Sequence, residues 1–170
     1  IMLLEGENRR IVKAGLALLQ QTERPGIAAL IETCGLGGKE LTAENVSFGL
    51  APRLNAAGRM DSAAAALELL LCEDPEEAEA IVAGLEAQNA ARQKAEQDIL
   101  QGVLDSVAAD ETYGADRILV VWGRGYHQGV IGIVASRVVE RFGKPAIIVS
   151  VDENGEGKGS GRSIAGVSLY

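Results

Sequence analysis

"RILVVWGRGYHQGVIGIVASRVVERFGKPAIIVSVD", Arg117 to Asp152, decides the fold class. Its first six residues, RILVVW (117–122), form a short β-branched run that reads as a strand. A glycine-rich turn, GRGYHQGV, leads into IGIVASRVVERFG, a helical pattern that ends at Gly143. KPAIIVSVD then returns as a second strand. Strand, helix and strand at this spacing make a right-handed βαβ unit with parallel pairing. ENGEG is a turn, and KGSGRSI (158–164) is a third strand or a strand-like loop.

The residues upstream are helical. Glu7 to Gln21 sets Ile11, Val12, Leu16, Leu18 and Leu19 along one face. Pro25 opens a second short helix that Gly35 closes. Thr42 is a fair N-cap, but Asn45 stands where the full capping box wants Glu or Gln. Asp61 or Ser62 caps AAAALELLL. From Pro75 to about Ala108 only Gly84 and Gly102 interrupt a helical pattern, with Ile81, Leu85, Ala91, Ala95, Ile99, Val103 and Val107 as a thin apolar stripe. Such a helix is about 50 Å long and suits a connector between lobes. The expected architecture is therefore α/β: a helical part over 1–74, a long connecting helix over 75–114, and a partial α/β domain over 115–170 with the βαβ unit.

Composition narrows the functional classes. Hydrophobic residues make up 47% and aromatics 4%, which supports an aliphatic core. No apolar run approaches the ~18–20 residues that span a bilayer, and no signal segment opens the chain; the expectation is a cytoplasmic protein without a membrane partner. Cys34 and Cys72 read as small buried hydrophobes. The net charge of −8 is unevenly placed. Residues 1–116 hold nine basic and twenty acidic side chains, whereas residues 117–170 hold seven and four. The C-terminal third is thus mildly basic, and a local basic face binds polyanions whatever the total. One histidine and no dense aspartate cluster leave nothing for a two-metal site or a Ser-His-Asp triad. No catalytic residue and no metal ligand is expected in this chain.

The densest collection of donors is GKGSGRS (157–163). It fails the P-loop pattern, because Gly159 follows Lys158, and the dinucleotide pattern, because its glycines alternate at 157, 159 and 161 with no helix after them. Alternation fits an extended strand whose glycine face is pressed against something, with Lys158, Ser160 and Arg162 together on the other. Ammonium, hydroxyl and guanidinium on one side suit a phosphodiester; a flexible edge strand is the plainer alternative. PRLNAAGR (52–59) offers Arg53, Asn55 and Arg59, either to a nucleic-acid backbone or as a helix junction with surface arginines. His127 lies in a turn before a helix whose first amides favour anions, and it serves either such a site or the turn itself.

Three segments together, GLAPRLNAAGRMDSAAAALELLL, YHQGVIGIVASRVVERFGKPAIIVS and KGSGRSIAGVSL, resemble the RecJ family of single-stranded-DNA-specific exonucleases, within the DHH phosphoesterase superfamily. The resemblance covers nearly the whole chain, in the same order and spacing. It implies a 5′→3′ exonuclease that hydrolyses single-stranded DNA with manganese or magnesium. It further implies that the chain is an internal fragment: the end of the DHH domain, the linking helix, and the first half of the DHH-associated domain. The metal ligands would lie upstream, since no DHH triplet occurs. Family members would be monomeric, and the unfinished sheet of the fragment would offer a route to self-association. Carried across, Gly159, Ser160, Gly161, Arg162 and Ser163 would clasp the substrate phosphate near the 5′ end. Lys158 and His127 would lie beside them, and Arg59 and Asn55 near the bound strand. Tyr126 stands where the family's WHxGVIGIVASR pattern has Trp, so its ring packs on the core or on a base. The alternatives are a DHH-family oligoribonuclease or cyclic-dinucleotide hydrolase, or a non-catalytic nucleic-acid-binding module.

Overall fold

The computed structural model describes residues 3–110 and 112–169. Contacts divide the chain into two compact units, Ile1–Ala90 and Ala91–Tyr170.

The first unit is helical. α1 (Gly6–Gln20) and α2 (Pro25–Thr33) are followed by one helical turn, α3 (Ala43–Asn45). The capping box here is complete, contrary to expectation. Thr42 Oγ1 accepts from the Asn45 amide (3.2 Å), and Asn45 Oδ1 accepts from the Thr42 amide (3.0 Å). The asparagine carbonyl reaches back as a glutamate would. A π-helical turn, Val46–Leu50, continues into α4 (Ala51–Met60), so one helical path carries PRLNAAGR rather than a junction. Pro52, in the first turn of α4, has no N–H to give, which suits the widened turn before it. α5 (Ala64–Leu71) has Ala63 at its N-cap, so neither Asp61 nor Ser62 holds the expected cap position; Ser62 Oγ accepts from the Ala64 amide (3.2 Å) from one residue further back.

Leu30, Leu41, Leu50, Ala57, Leu69 and Leu85 form the centre of this unit. α2 and α5 approach so closely that a Cβ on Gly26 would lie 1.8 Å from the Leu69 carbonyl oxygen. Cys34 and Cys72 are half-buried at the edge of this core rather than inside it. Burial pushes the Cys34 thiol above its ordinary pKa, against the pull of the nearby Arg53 cation.

α6 runs from Pro75 to Ala109, and the division between the units falls within it. Its hidden face is not the expected stripe. The buried positions are Ala78, Val82, Leu85, Asn89, Glu96, Ile99 and Val103, spaced by threes, fours and a seven. Only Leu85, Ile99 and Val103 are shared with the stripe drawn from apolar periodicity; of the other four buried positions, Asn89 and Glu96 are polar, and Ala78 and Val82 are apolar positions that the stripe left out. The helix stops at Ala109, and a separate short turn, α7 (Thr112–Ala115), follows. Asp110 accepts from the hydroxyl and the amide of Thr112, at 2.7 and 2.9 Å, which lowers the carboxyl's pKa.

The second unit holds β1 (Leu119–Arg124), α8 (Ile131–Phe142), β2 (Ala146–Val151) and β3 (Gly157–Arg162) in sheet order β1-β2-β3. β1 and β2 are parallel, as the βαβ reading requires, and β3 returns antiparallel to β2. The fold class is α/β, as expected. α8 packs Ile131, Val134, Ala135 and Val138 against β2 and β3 on the face that carries Ala146 and Ile148; Leu119 and Val121 of β1 share that face and are buried. Gly143 ends α8 in the left-handed conformation (φ 64°) that a Cβ would strain. On the opposite face Val120 and Trp122 are exposed.

Candidate nucleic-acid interface

The register sorts GKGSGRS onto two faces. Gly157, Gly159 and Gly161 pair with Val151, Val149 and Ile147 and share their face. A Cβ on Gly159 would meet methyls of Ile147 and Val149 at 3.4 Å, and one on Gly161 would meet Leu169 at 3.0 Å. The glycines are therefore pressed against side chains. Lys158, Ser160 and Arg162 pair with Ser150, Ile148 and Ala146 on the face that α8 covers.

Ser160 and Arg162 meet the start of α8. A Cβ on Gly132 would lie 2.9 Å from Arg162 Nη2 and 3.0 Å from Ser160 Oγ. Gly132 is the second residue of α8, in the first turn, where amides have no intrahelical acceptor. Arg162 Nη1 donates to Ser160 Oγ (3.2 Å) and to the Gly161 carbonyl (2.7 Å), which bends the guanidinium back over the strand. Hydroxyl, guanidinium and the positive end of a helix thus converge, an arrangement that receives an anion. Arg162 is exposed, so its guanidinium is open to solvent.

The remaining candidates separate. Ser163 Oγ donates to the Val167 carbonyl (2.7 Å), closing the turn after β3. Lys158 is exposed beside the row of Gly123 and Ser150. His127 is half-buried; its Nδ1 accepts from the Gly129 amide (3.2 Å), so the neutral ring carries its proton on Nε2. Its carbonyl accepts from the amides of Val130 and Ile131 (2.9 and 3.2 Å), so His127 builds the turn that starts α8. Asn55 and Arg59 belong to the first unit. They are one helical turn apart and both exposed on α4. Arg53 instead pairs with Glu86 and donates to the Gly49 carbonyl (2.9 Å), which makes it part of the helical packing.

Gly132 escaped the sequence reading, as did a buried ion cluster. Glu96 is 4% exposed, and its Oε2 accepts from Arg92 (2.8 Å). Arg137 Nε forms an ion pair with its Oε1, without the alignment of a hydrogen bond. The cluster joins α6 to α8 within the second unit. An unexplained glycine inside a helix was the available signal for Gly132, since such a glycine costs about 0.5–1 kcal/mol against Ala and so marks a close approach. Among the described residues no group of three or more His, Cys, Asp or Glu could hold a metal ion. No described helix is long and apolar enough to cross a membrane.

The DHHA1 domain family model matches residues 115–170, the stretch that contains the whole sheet and α8. The α/β stretch 115–170 of the second unit is therefore of the DHHA1 class. Along nearly its full length the chain is similar to the single-stranded-DNA-specific exonuclease RecJ. It is 42% identical to that of Bacillus subtilis strain 168 over 98% of this chain and 21% of the relative. Against that of Dickeya dadantii strain 3937 the figures are 39%, 98% and 29%. The crystal structure of RecJ from Thermus thermophilus in complex with Mg2+ superposes with a TM-score of 0.85 at 37% identity, over 99% of this chain and 25% of that one. A structure of exonuclease RecJ bound to manganese gives 0.81 at 38% identity, over 98% and 40%. On these matches the chain is similar to one segment of the RecJ exonucleases. It spans between a fifth and a third of the length of the curated relatives named here.

Proposed function

We propose that this chain is the strand-holding part of a 5′→3′ single-stranded-DNA exonuclease. The observation that carries the reading is the meeting of Ser160, Arg162 and the first turn of α8 at Gly132. A phosphate there accepts from the Ser160 hydroxyl and from the Arg162 fork, with the helix N-terminus adding favourable potential. Lys158 extends the cationic line along β3, and Asn55 with Arg59 gives the helical unit its own contact to a nucleic-acid backbone. Glycines opposite this face let β3 lie flat on Ile147 and Val149, so the donors are held by a strand rather than by a loop.

In the whole protein such a clasp fixes the 5′ end of the strand, and the scissile bond is thereby presented at a constant distance to hydrolytic groups outside this chain. Divalent metal, in the solved relatives Mg2+ or Mn2+, supplies the hydrolytic chemistry there. The residues of this chain bind and orient.

Fluorescence anisotropy with 5′-phosphorylated and 5′-hydroxyl oligodeoxynucleotides tests the reading. The 170-residue chain binds the phosphorylated strand more tightly, cyclic dinucleotides compete poorly, and no cleavage occurs with Mn2+ present. Equal affinity for the two strands, or preferential binding of the dinucleotides, overturns it.

A further inference from the structure

Six residues, 125–130, connect β1 to α8, and several of their polar groups are hydrogen-bonded. Gly125, left-handed at φ 74°, donates its amide to the Val151 carbonyl (3.4 Å). His127 accepts from three amides further along the turn. The tie to the sheet is made at Tyr126. Its carbonyl accepts from Ser150 Oγ at 2.5 Å, and Ser150 is itself 6% exposed. Its ring lies directly on Gly123 of β1, where a Cβ would be 2.2 Å from Cζ and 2.6 Å from both Cε atoms. Its hydroxyl reaches Gly102 of α6, where a Cβ would be 3.0 Å away. Two glycines on two elements leave a slot, and the ring fills it. Gly84, the other interior glycine of α6, has nothing within 4 Å of its Cβ position. Space at Gly102 is therefore matched to a particular side chain.

We propose that Tyr126 is a positioning residue for the phosphate site at the start of α8. The proposal rests on the strand-holding reading above and names the side chain that sets its geometry. Val130 and Ile131, buried to 0% and 2% exposure, follow directly from the turn, and Gly132 is the next residue. The clearance between Gly132 and the Ser160 and Arg162 heads is close, so a displacement of the turn alters how many donors reach one phosphate together. Misplacement by about 1 Å in such constellations costs up to two orders of magnitude. The ring on Gly123 is the closer of the two contacts, and the hydroxyl supplies the one at Gly102. A phenylalanine preserves the contact with Gly123, and an alanine removes it.

The test uses the 170-residue chain, with two measurements on each variant. One is the ratio of affinities for 5′-phosphorylated over 5′-hydroxyl oligodeoxynucleotide; the other is hydrogen exchange at the amides of Val130 and Ile131. Tyr126→Ala lowers the ratio roughly tenfold and loses protection at these amides, while the amides of β2 keep theirs. Tyr126→Phe retains both. Gly123→Ala expels the ring and reproduces Tyr126→Ala. The double variant is no worse than Tyr126→Ala, because the new methyl then has room. Unchanged protection in Tyr126→Ala, or additive losses in the double variant, overturns the proposal. If the unaltered chain shows no preference for the 5′-phosphate, the strand-holding reading fails. The exchange measurements still decide whether Tyr126 sets the turn.

Discussion

Arg162→Ala isolates binding from folding. The guanidinium is exposed, and its two hydrogen bonds within the chain, to the Gly161 carbonyl and Ser160 Oγ, both lie within two residues. Its removal leaves the sheet register and the α8 packing intact, so stability changes by less than about 0.5 kcal/mol, as for an ordinary surface substitution. Binding loses a hydrogen bond between charged partners, a contact of about 1.5–3 kcal/mol. At about 1.4 kcal/mol per tenfold change, affinity for a 5′-phosphorylated single strand falls roughly 10- to 150-fold. One fewer phosphate neutralised also reduces the slope of log K against log salt by about 0.7. Arg162→Lys restores the slope, since the charge is back, but only part of the affinity, since an ammonium lacks the fork that spans two phosphate oxygens. Anisotropy titrations from low to moderate salt measure both quantities. An unchanged slope and affinity in Arg162→Ala would refute the placement of phosphate at this strand.

Three further outcomes follow from the packing. Gly26→Ala destabilises the helical unit despite alanine's better helix propensity, because its methyl would sit 1.8 Å from the Leu69 carbonyl; loss of helical signal at lower temperature by circular dichroism measures it. Glu96→Ala leaves Arg92, 12% exposed, without its buried carboxylate and costs the second unit about 3 kcal/mol, the lower end for a broken buried pair because Arg137 is half open to water. Trp122, the only tryptophan, reports that loss in urea titrations. Cys34, whose pKa burial raises, holds less thiolate than a free thiol at mildly alkaline pH; it alkylates slowly in the native chain and at the free-thiol rate once unfolded in urea.

Local pattern carries far in this protein. The βαβ unit, the helix from Pro75 and the alternation of GKGSGRS were legible because each rests on periodicity over contiguous residues, about 2.0 for strands and about 3.6 for helices. The glycine face of β3 was legible for the same reason. The buried face of α6 was not. Apolar periodicity passes over Asn89 and Glu96, and it is Arg92 on the same helix together with Arg137 from α8 that makes a buried glutamate tolerable. The completion of the Thr42–Asn45 capping box depended on one side-chain rotation that propensity does not report.

The candidate site divides in the same way. Sequence alone determined that Ser160 and Arg162 share a face, since strand alternation is geometric and independent of neighbours. It could not show that this face meets the first turn of α8, because that contact joins residues far apart in the chain through a crossover. Tertiary structure decided which donors converge: Gly132 was admitted, Ser163 was committed to its own turn, and Asn55 and Arg59 were placed in the helical unit. It also decided the role of Tyr126, whose ring lies in a slot made by glycines on two different elements. Contacts of that kind are selected by the space left when elements pack, and a single strand or helix pattern contains no record of that space.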